Sequence, residues 1–175
     1  MAVHSLSKSY IFSRSKYFLQ DTFISGWKNE LFDDRRNRNC GNKLRTYRTF
    51  KNNFGEEEYL TYCKNPKTKT SLTRFRLSNH KLRIESDRYK TPRIPPELRI
   101  CLQCNQHVTE DETHLLLYCD MYNELRSKLF NDIYACYHNF HDISDKFIWL
   151  MCNKDPFIVI KVATFIHDCM LKRTR

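Results

Sequence analysis

The chain has 175 residues, 41% of them hydrophobic and 14% aromatic, enough apolar material for one packed domain or one domain with a small appendage. Three Gly and five Pro exclude a low-complexity chain, and no stretch nears the ~20 apolar residues of a membrane helix. Thirty Lys and Arg against twenty Asp and Glu give a net charge of +10, which suggests a polyanionic partner.

The opening segment, Met1 to Phe12, is polar and lacks the apolar stretch of a signal peptide. The eight Cys are therefore expected to be reduced, and the chain to reside in the nucleus or cytoplasm and not to be secreted. A disulfide framework is the lesser reading. Leu19, Phe23, Trp27 and Leu31 recur every four residues, one stripe on a helix that should end near Asp34. Arg35 to Asn39 turns polar, and Gly41 with its Asn neighbours marks a loop. Phe54 to Cys63 reads as a short helix with Glu56, Glu57 and Glu58 in its first turn, where the helix dipole favours acids. Pro66 should break the chain. Ser71 can then cap a helix that turns Leu72, Phe75 and Leu82 inward.

Pro92, Pro95 and Pro96 form a stiff linker. Thr109-Glu-Asp-Glu112 has capping-box spacing and predicts a short helix that carries His114 towards Cys119. Leu125, Leu129 and Ile133 continue a further helix. Asp155-Pro156 is a cap followed by proline at the first helical position, and a last helix should run from there to about Leu171. The longest apolar run, Phe157-Ile-Val-Ile160, lies in it and stops at Lys161. The expected fold is mainly α. It has a basic helical region over 1–93, a small embedded metal module over 94–120 and C-terminal helices over 121–175, all in one compact unit.

Cys101-Leu-Gln-Cys104, His114 and Cys119 read as C-x2-C-x9-H-x4-C. A C-x2-C turn can put two thiolates on one metal, and a His and a Cys on the next segment can complete a tetrahedron. Four soft or borderline ligands with no open position suit one structural Zn2+. His107 is a competing ligand, but it follows Cys104 by three residues and would close a cramped loop. Cys40, Cys63, Cys136, Cys152 and Cys169 show no ligand spacing.

The charge comes in blocks. Lys28 to Lys51 is basic, and Lys64 to Arg93 holds ten Lys and Arg against Glu85 and Asp87. Aromatics are interleaved, a mixture that suits phosphate contacts with base stacking. Arg45, Arg48, Arg74, Arg76, Lys81, Arg83, Arg88, Tyr89 and Lys90 are the candidate contacts to RNA or DNA. The cysteine segment is acidic, with Glu97, Glu110, Asp111, Glu112 and Asp120, so the basic face and the metal module are expected on different surfaces. Asp33 and Asp34 are a carboxylate pair of the sort that can hold Mg2+. They end a predicted helix, and Arg35 and Arg36 follow to neutralise them. No phosphate-binding loop, nucleophile elbow or metalloprotease motif occurs, and no catalysis is expected.

Three strings in order carry a family likeness: Lys43-Leu-Arg-Thr-Tyr-Arg-Thr-Phe-Lys51, then Leu72-Thr-Arg-Phe-Arg-Leu-Ser-Asn-His-Lys-Leu-Arg-Ile-Glu85 with Arg88-Tyr89, then the cysteine set. Together they resemble the tail of reverse transcriptases from LINE-type (non-LTR) retrotransposons, over roughly residues 15 to 135. The resemblance implies that Cys101, Cys104, His114 and Cys119 are the family's CCHC residues. It also implies that the tail helps hold template RNA or target DNA beside a polymerase domain. Asp120 departs from the Pro that often follows the last Cys. The palm, fingers and endonuclease have no counterpart here, so the expected function is a nucleic-acid-binding tail fragment without catalysis. The alternatives are a zinc-stabilised protein-interaction module, its charge serving solubility, or a non-functional remnant of such an element.

Overall fold

The computed structural model describes residues 7–33, 42–51 and 53–173. They fall into two compact units, Met1–Asn42 and Lys43–Arg175.

The first unit holds one long helix, α1 (Lys8–Phe32). Ser7 starts it: its hydroxyl accepts from the Tyr10 N–H at 3.2 Å, satisfying a donor that the first turn leaves open. At the other end the Asn42 amide donates to the carbonyls of Glu30, Leu31 and Asp33, the closest at 2.9 Å on Leu31. The expected helix is present, but its stripe is not a core face. Leu31 is buried, whereas Leu19 and Phe23 are 67% and 66% exposed. Tyr17 and Phe18, on other sides of the helix, are exposed as well. Apolar residues thus surround the helix, which a spacing of four alone conceals. Asp34, the polar stretch Arg35–Asn39, Cys40 and Gly41 lie outside the described residues.

The second unit begins with α2 (Tyr47–Phe50), α3 (Tyr59–Tyr62), α4 (Pro66–Arg76) and α5 (Arg83–Ser86). After the cysteine segment come α6 (Asn123–Cys136), α7 (Lys146–Cys152) and α8 (Pro156–Arg173). The fold is mainly α. Among the described residues there is no strand, only an isolated antiparallel bridge between Ile100 and Thr109. The centre is α8, which buries Ile158, Val159, Val162, Ala163, Phe165, Ile166 and Cys169, a helical period wide enough to face several neighbours. It packs on α3, α4, α6 and α7. Leu72 and Phe75 of α4 and Leu129 and Ile133 of α6 join the same core as Cys101, Leu115, Leu116 and Cys119. The metal-ligand segment is therefore part of the hydrophobic core.

Five local expectations are corrected. Pro66 begins α4 instead of breaking the chain: Asn65 accepts from the Lys67 N–H at 2.9 Å, and proline in the first turn has no N–H to lose. Ser71 sits inside that helix and caps nothing; its hydroxyl lies 3.0 Å from His167 Nδ1. The helix stops at Arg76, so Leu82 reaches the core from the following loop. Its end is a Schellman-type turn: Asn79 N–H donates to the Arg74 carbonyl at 2.7 Å across Ser78, whose φ is 51°. Ser takes the usual glycine position because its hydroxyl donates to Glu112 at 2.8 Å. Glu56, Glu57 and Glu58 precede α3 instead of forming its first turn. Thr109 is not the cap of the helical turn before His114; Asp111 is, its carboxylate accepting from the His114 N–H at 2.8 Å. The Asp155 cap and Pro156 start α8 as expected, with the Asp155 carboxylate accepting from the Phe157 N–H at 2.7 Å.

Candidate metal centre

The two halves of the ligand set come from two local devices. Cys101 N–H donates to the Val108 carbonyl at 2.8 Å, and Glu110 N–H to the Arg99 carbonyl at 2.9 Å, closing a tight loop around Cys104. His107 turns that loop with a φ of 54° and is exposed, outside the ligand cluster. The Gln103 N–H donates to Cys101 Sγ at 3.4 Å. The second half is a π turn, His114–Tyr118, closed by Cys119 N–H donating to the His114 carbonyl at 2.8 Å. An H-x4-C spacing is the i to i+5 step of such a turn, so it brings His114 and Cys119 to one end of it.

One ligand atom from each of Cys101, Cys104, His114 and Cys119 lies within 4.8 Å of all the others. Cys101 Sγ is 3.9 Å from Cys119 Sγ, and Cys104 Sγ is 3.4 Å from His114 Nε2. A tetrahedral ion with bonds of about 2.3 Å to sulfur and about 2.0 Å to nitrogen spans S···S edges of about 3.8 Å and S···N edges of about 3.5 Å. These two separations match tetrahedral edges, and all four residues lie close enough together to hold a metal ion. The described cysteines are all free thiols. Burial pushes the Cys101 thiol up to about 12, with the Glu110 carboxylate adding to the rise. Burial raises Cys119 likewise and lowers His114, keeping the imidazole neutral. Such thiols give up their protons only to a strong cation.

Arg126 braces the π turn. Its guanidinium donates to the carbonyls of Leu116 at 3.0 Å, Leu115 at 3.2 Å and Cys119 at 2.8 Å, and to the Asn123 side chain. It is 6% exposed, and all four acceptors are neutral, an uncommon setting for a buried cation.

The charged residues around the centre correct a second expectation. The basic residues and the metal module are not on different surfaces; they interlock. Glu112, 1% exposed, accepts from Arg45 at 2.8 Å, His80 at 2.9 Å and Ser78. Burial alone would raise its carboxyl, but the His80 bond and charge and the Arg45 charge hold it down at about 2. Glu110 accepts from Arg173 at 2.9 Å and from the Arg83 N–H at 2.9 Å. A buried carboxylate is tolerable only with such partners, and counting charge along the sequence cannot show them.

This interlocking sorts the nine candidate nucleic-acid contacts. Arg88 is buried and forks onto Glu85 at 2.9 and 3.0 Å. Arg76 is buried, donates to Glu57 and the Met151 carbonyl, and lies 4.4 Å over the Phe50 ring. Both are removed from the reach of a polyanion. Arg45 bridges Glu85 and Glu112, and Arg83 pairs with Asp87 at 2.6 Å while donating to the Ile100 carbonyl. Arg48 is partly buried. Lys90 is half exposed and pairs with Asp87 at 2.7 Å. Arg74, Lys81 and Tyr89 remain exposed, Tyr89 by 71%. Reading the sequence missed Arg99, Arg126, His80 and the role of Glu110 and Glu112. The i,i+3 pair Glu85–Arg88 and the i,i+4 pair Arg83–Asp87 were the available signal.

Comparison with protein families, with curated proteins and with solved structures gives no match to this chain. No helix among the described residues is long and apolar enough to cross a membrane.

Proposed function

We propose that the chain is a nucleic-acid-binding module built around one structural zinc ion, of the kind its likeness to a LINE-type reverse-transcriptase tail implies, and that it works in the nucleus or cytoplasm. The observation that carries the zinc is the fit of the Cys101–Cys119 and Cys104–His114 separations to a tetrahedron. Four protein donors leave no place for a reacting water, so the ion is structural. Three thiolates and a neutral imidazole around a dication sum to −1. The Arg126 guanidinium, with only neutral acceptors, supports the reading by supplying the balancing charge.

The nucleic-acid reading rests on Arg74 and Lys81, which are exposed and make no ion pair among the described residues, and on the Tyr89 ring beside Lys90 in sequence. With Arg76 and Arg88 buried, about three cations are left for phosphates. The logarithm of the binding constant should then fall with log salt at a slope of roughly −2 on single strands and −3 on duplex. The test is zinc content of the purified protein, about one per chain, with titration of labelled single-stranded RNA, single-stranded DNA and duplex DNA at two salt concentrations. No binding at low salt would end the nucleic-acid reading.

One observation favours a second reading, a protein-interaction module. Phe12, Phe18 and Leu19 of α1 are each at least two-thirds exposed. Binding through such a face would ignore salt.

A further inference from the structure

A cavity of about 460 Å³ opens between α4 and α8, and among the described residues no carboxylate lines it. Its polar wall is Arg74, Asn79, His80, Lys81, His167 and Arg173. Two of these groups are already engaged: Arg173 is held by Glu110, and His80 is hydrogen-bonded to Glu112. Among the described residues Arg74 and Lys81 have no ion pair, so the wall presents two positive charges that those residues leave unmatched. His167 is oriented by Ser71, 3.0 Å away, and Met170 and Leu171 give the cavity an apolar side.

Charge and size select the ligand. A phosphate monoester carries about −1.5 to −2 at neutral pH, against about −1 for a phosphodiester or a carboxylate, and its three terminal oxygens accept several hydrogen bonds. Arg74, Lys81 and the Asn79 amide offer donors of that kind. A cavity of this volume is in the ligand-sized range of about 300–1,000 Å³, far more than a phosphate group alone fills. The attached sugar and base must enter too, and the Met170–Leu171 side suits them. We propose that the α4–α8 cavity binds a nucleoside phosphate monoester, presented by the phosphorylated end of a nucleic-acid strand. The choice of a strand end over a free mononucleotide rests on the nucleic-acid reading above; the site itself does not.

The test uses the full chain with its metal. Labelled ten-nucleotide single strands, RNA and DNA, are compared with a 5′-phosphate, a 3′-phosphate and hydroxyl ends. A free nucleoside 5′-monophosphate is titrated separately. Arg74→Gln with Lys81→Gln removes the two unmatched charges. Lys64→Gln with Lys67→Gln removes two exposed charges outside the cavity and serves as the control. A strand with one of the terminal phosphates should bind at least tenfold more tightly than the hydroxyl strand. That advantage should vanish in the Arg74/Lys81 variant and survive in the control. Equal binding of phosphorylated and hydroxyl strands would overturn the proposal while leaving the nucleic-acid reading standing. Binding of the free nucleotide alone, lost with Arg74 and Lys81, would support the cavity and remove the strand. Binding of nothing would overturn both.

Discussion

Replacing Arg126 with Met tests whether the buried centre holds a negatively charged metal–thiolate cluster. Met is close to the volume of the arginine stem, so the packing around α6 changes little. In the metal-free protein two effects oppose each other. The carbonyls of Leu115, Leu116 and Cys119 lose their donor, at about 1–3 kcal/mol for each that water does not reach. Against this, a buried guanidinium whose hydrogen-bond acceptors are all neutral no longer has to be desolvated, a relief of several kcal/mol. The net change in metal-free stability should be small. The metal-bound protein loses the balancing charge as well, and it loses the brace on the turn that carries His114 and Cys119. Support of this kind around metal ligands is worth about 10–100-fold in affinity, or roughly 1.4–2.7 kcal/mol. The assay is competition for Zn2+ against a chromogenic chelator, with urea unfolding of the metal-free and metal-loaded protein in parallel. An Arg126→Met protein that keeps full metal affinity, or that loses equal stability with and without metal, would refute the reasoning.

Cys104→Ser should lose the metal and raise amide exchange over residues 99 to 120, while Cys152→Ser, whose thiol is outside the cluster, should retain it; metal analysis and hydrogen exchange read both. Arg88→Ala should cost about 3–5 kcal/mol in urea unfolding, because it strips the forked partner from a buried Glu85 and leaves Arg45 as its ion-pair partner among the described residues. Arg74→Gln, on the surface, should stay within about 0.5 kcal/mol of the parent. Glu57 gives an acid limb. Burial would raise its carboxyl, but the Arg76 charge and the Lys51 bond hold it below the usual glutamate range. Its contribution is complete above the unfolded value of about 4.3 and disappears as pH falls through the lower folded value. Stability should therefore drop more steeply below about pH 4.3 in the parent than in Glu57→Gln; parallel acid limbs would show that the carboxylate is not held down.

The sequence made the ligand set and the last helix legible because both depend on local chemistry. A C-x2-C loop and an H-x4-C turn need no distant partner to be recognised, and Asp155-Pro156 announces α8 by itself. Interior carboxylates are different. Glu110 and Glu112 read as surface acids because their sequence neighbours are polar. Their partners Arg173, Arg45 and His80 lie 32 to 67 positions away. The same distance effect misplaced Arg76, whose partner Glu57 lies 19 positions away, whereas Arg88 sits only three residues from its buried partner Glu85 and was misplaced despite a local pair. Ser78 concealed the end of α4, because a left-handed Ser is stabilised here by Glu112, a residue 34 positions later. The stripe on α1 found its helix, but a period of four does not say that a core exists for that stripe to face.

These long-range pairs have a consequence for the cavity between α4 and α8. None of the candidate metal ligands lines it, yet two of its walls are anchored to the segment that carries them: Arg173 through Glu110, and His80 through Glu112. Both carboxylates lie between Cys104 and His114, in the stretch that loosens if the metal leaves. Removing the metal should therefore weaken binding of a phosphorylated strand end, although the contacting residues Arg74 and Lys81 are unchanged. Typical coupling between two such sites is about 1–3 kcal/mol, or about 5–150-fold. Reciprocity then fixes the other arm: a saturating 5′-phosphorylated strand should raise zinc affinity by the same factor as zinc raises strand affinity. Lost strand binding on chelation could also come from global unfolding. Far-ultraviolet circular dichroism of the chelated protein separates the cases, because α8 packs on α3, α4, α6 and α7 without a metal ligand among them. A chelated protein that keeps its helix and binds the phosphorylated strand undiminished would show that the two sites are independent, and that Glu110 and Glu112 brace the fold without transmitting anything to the cavity.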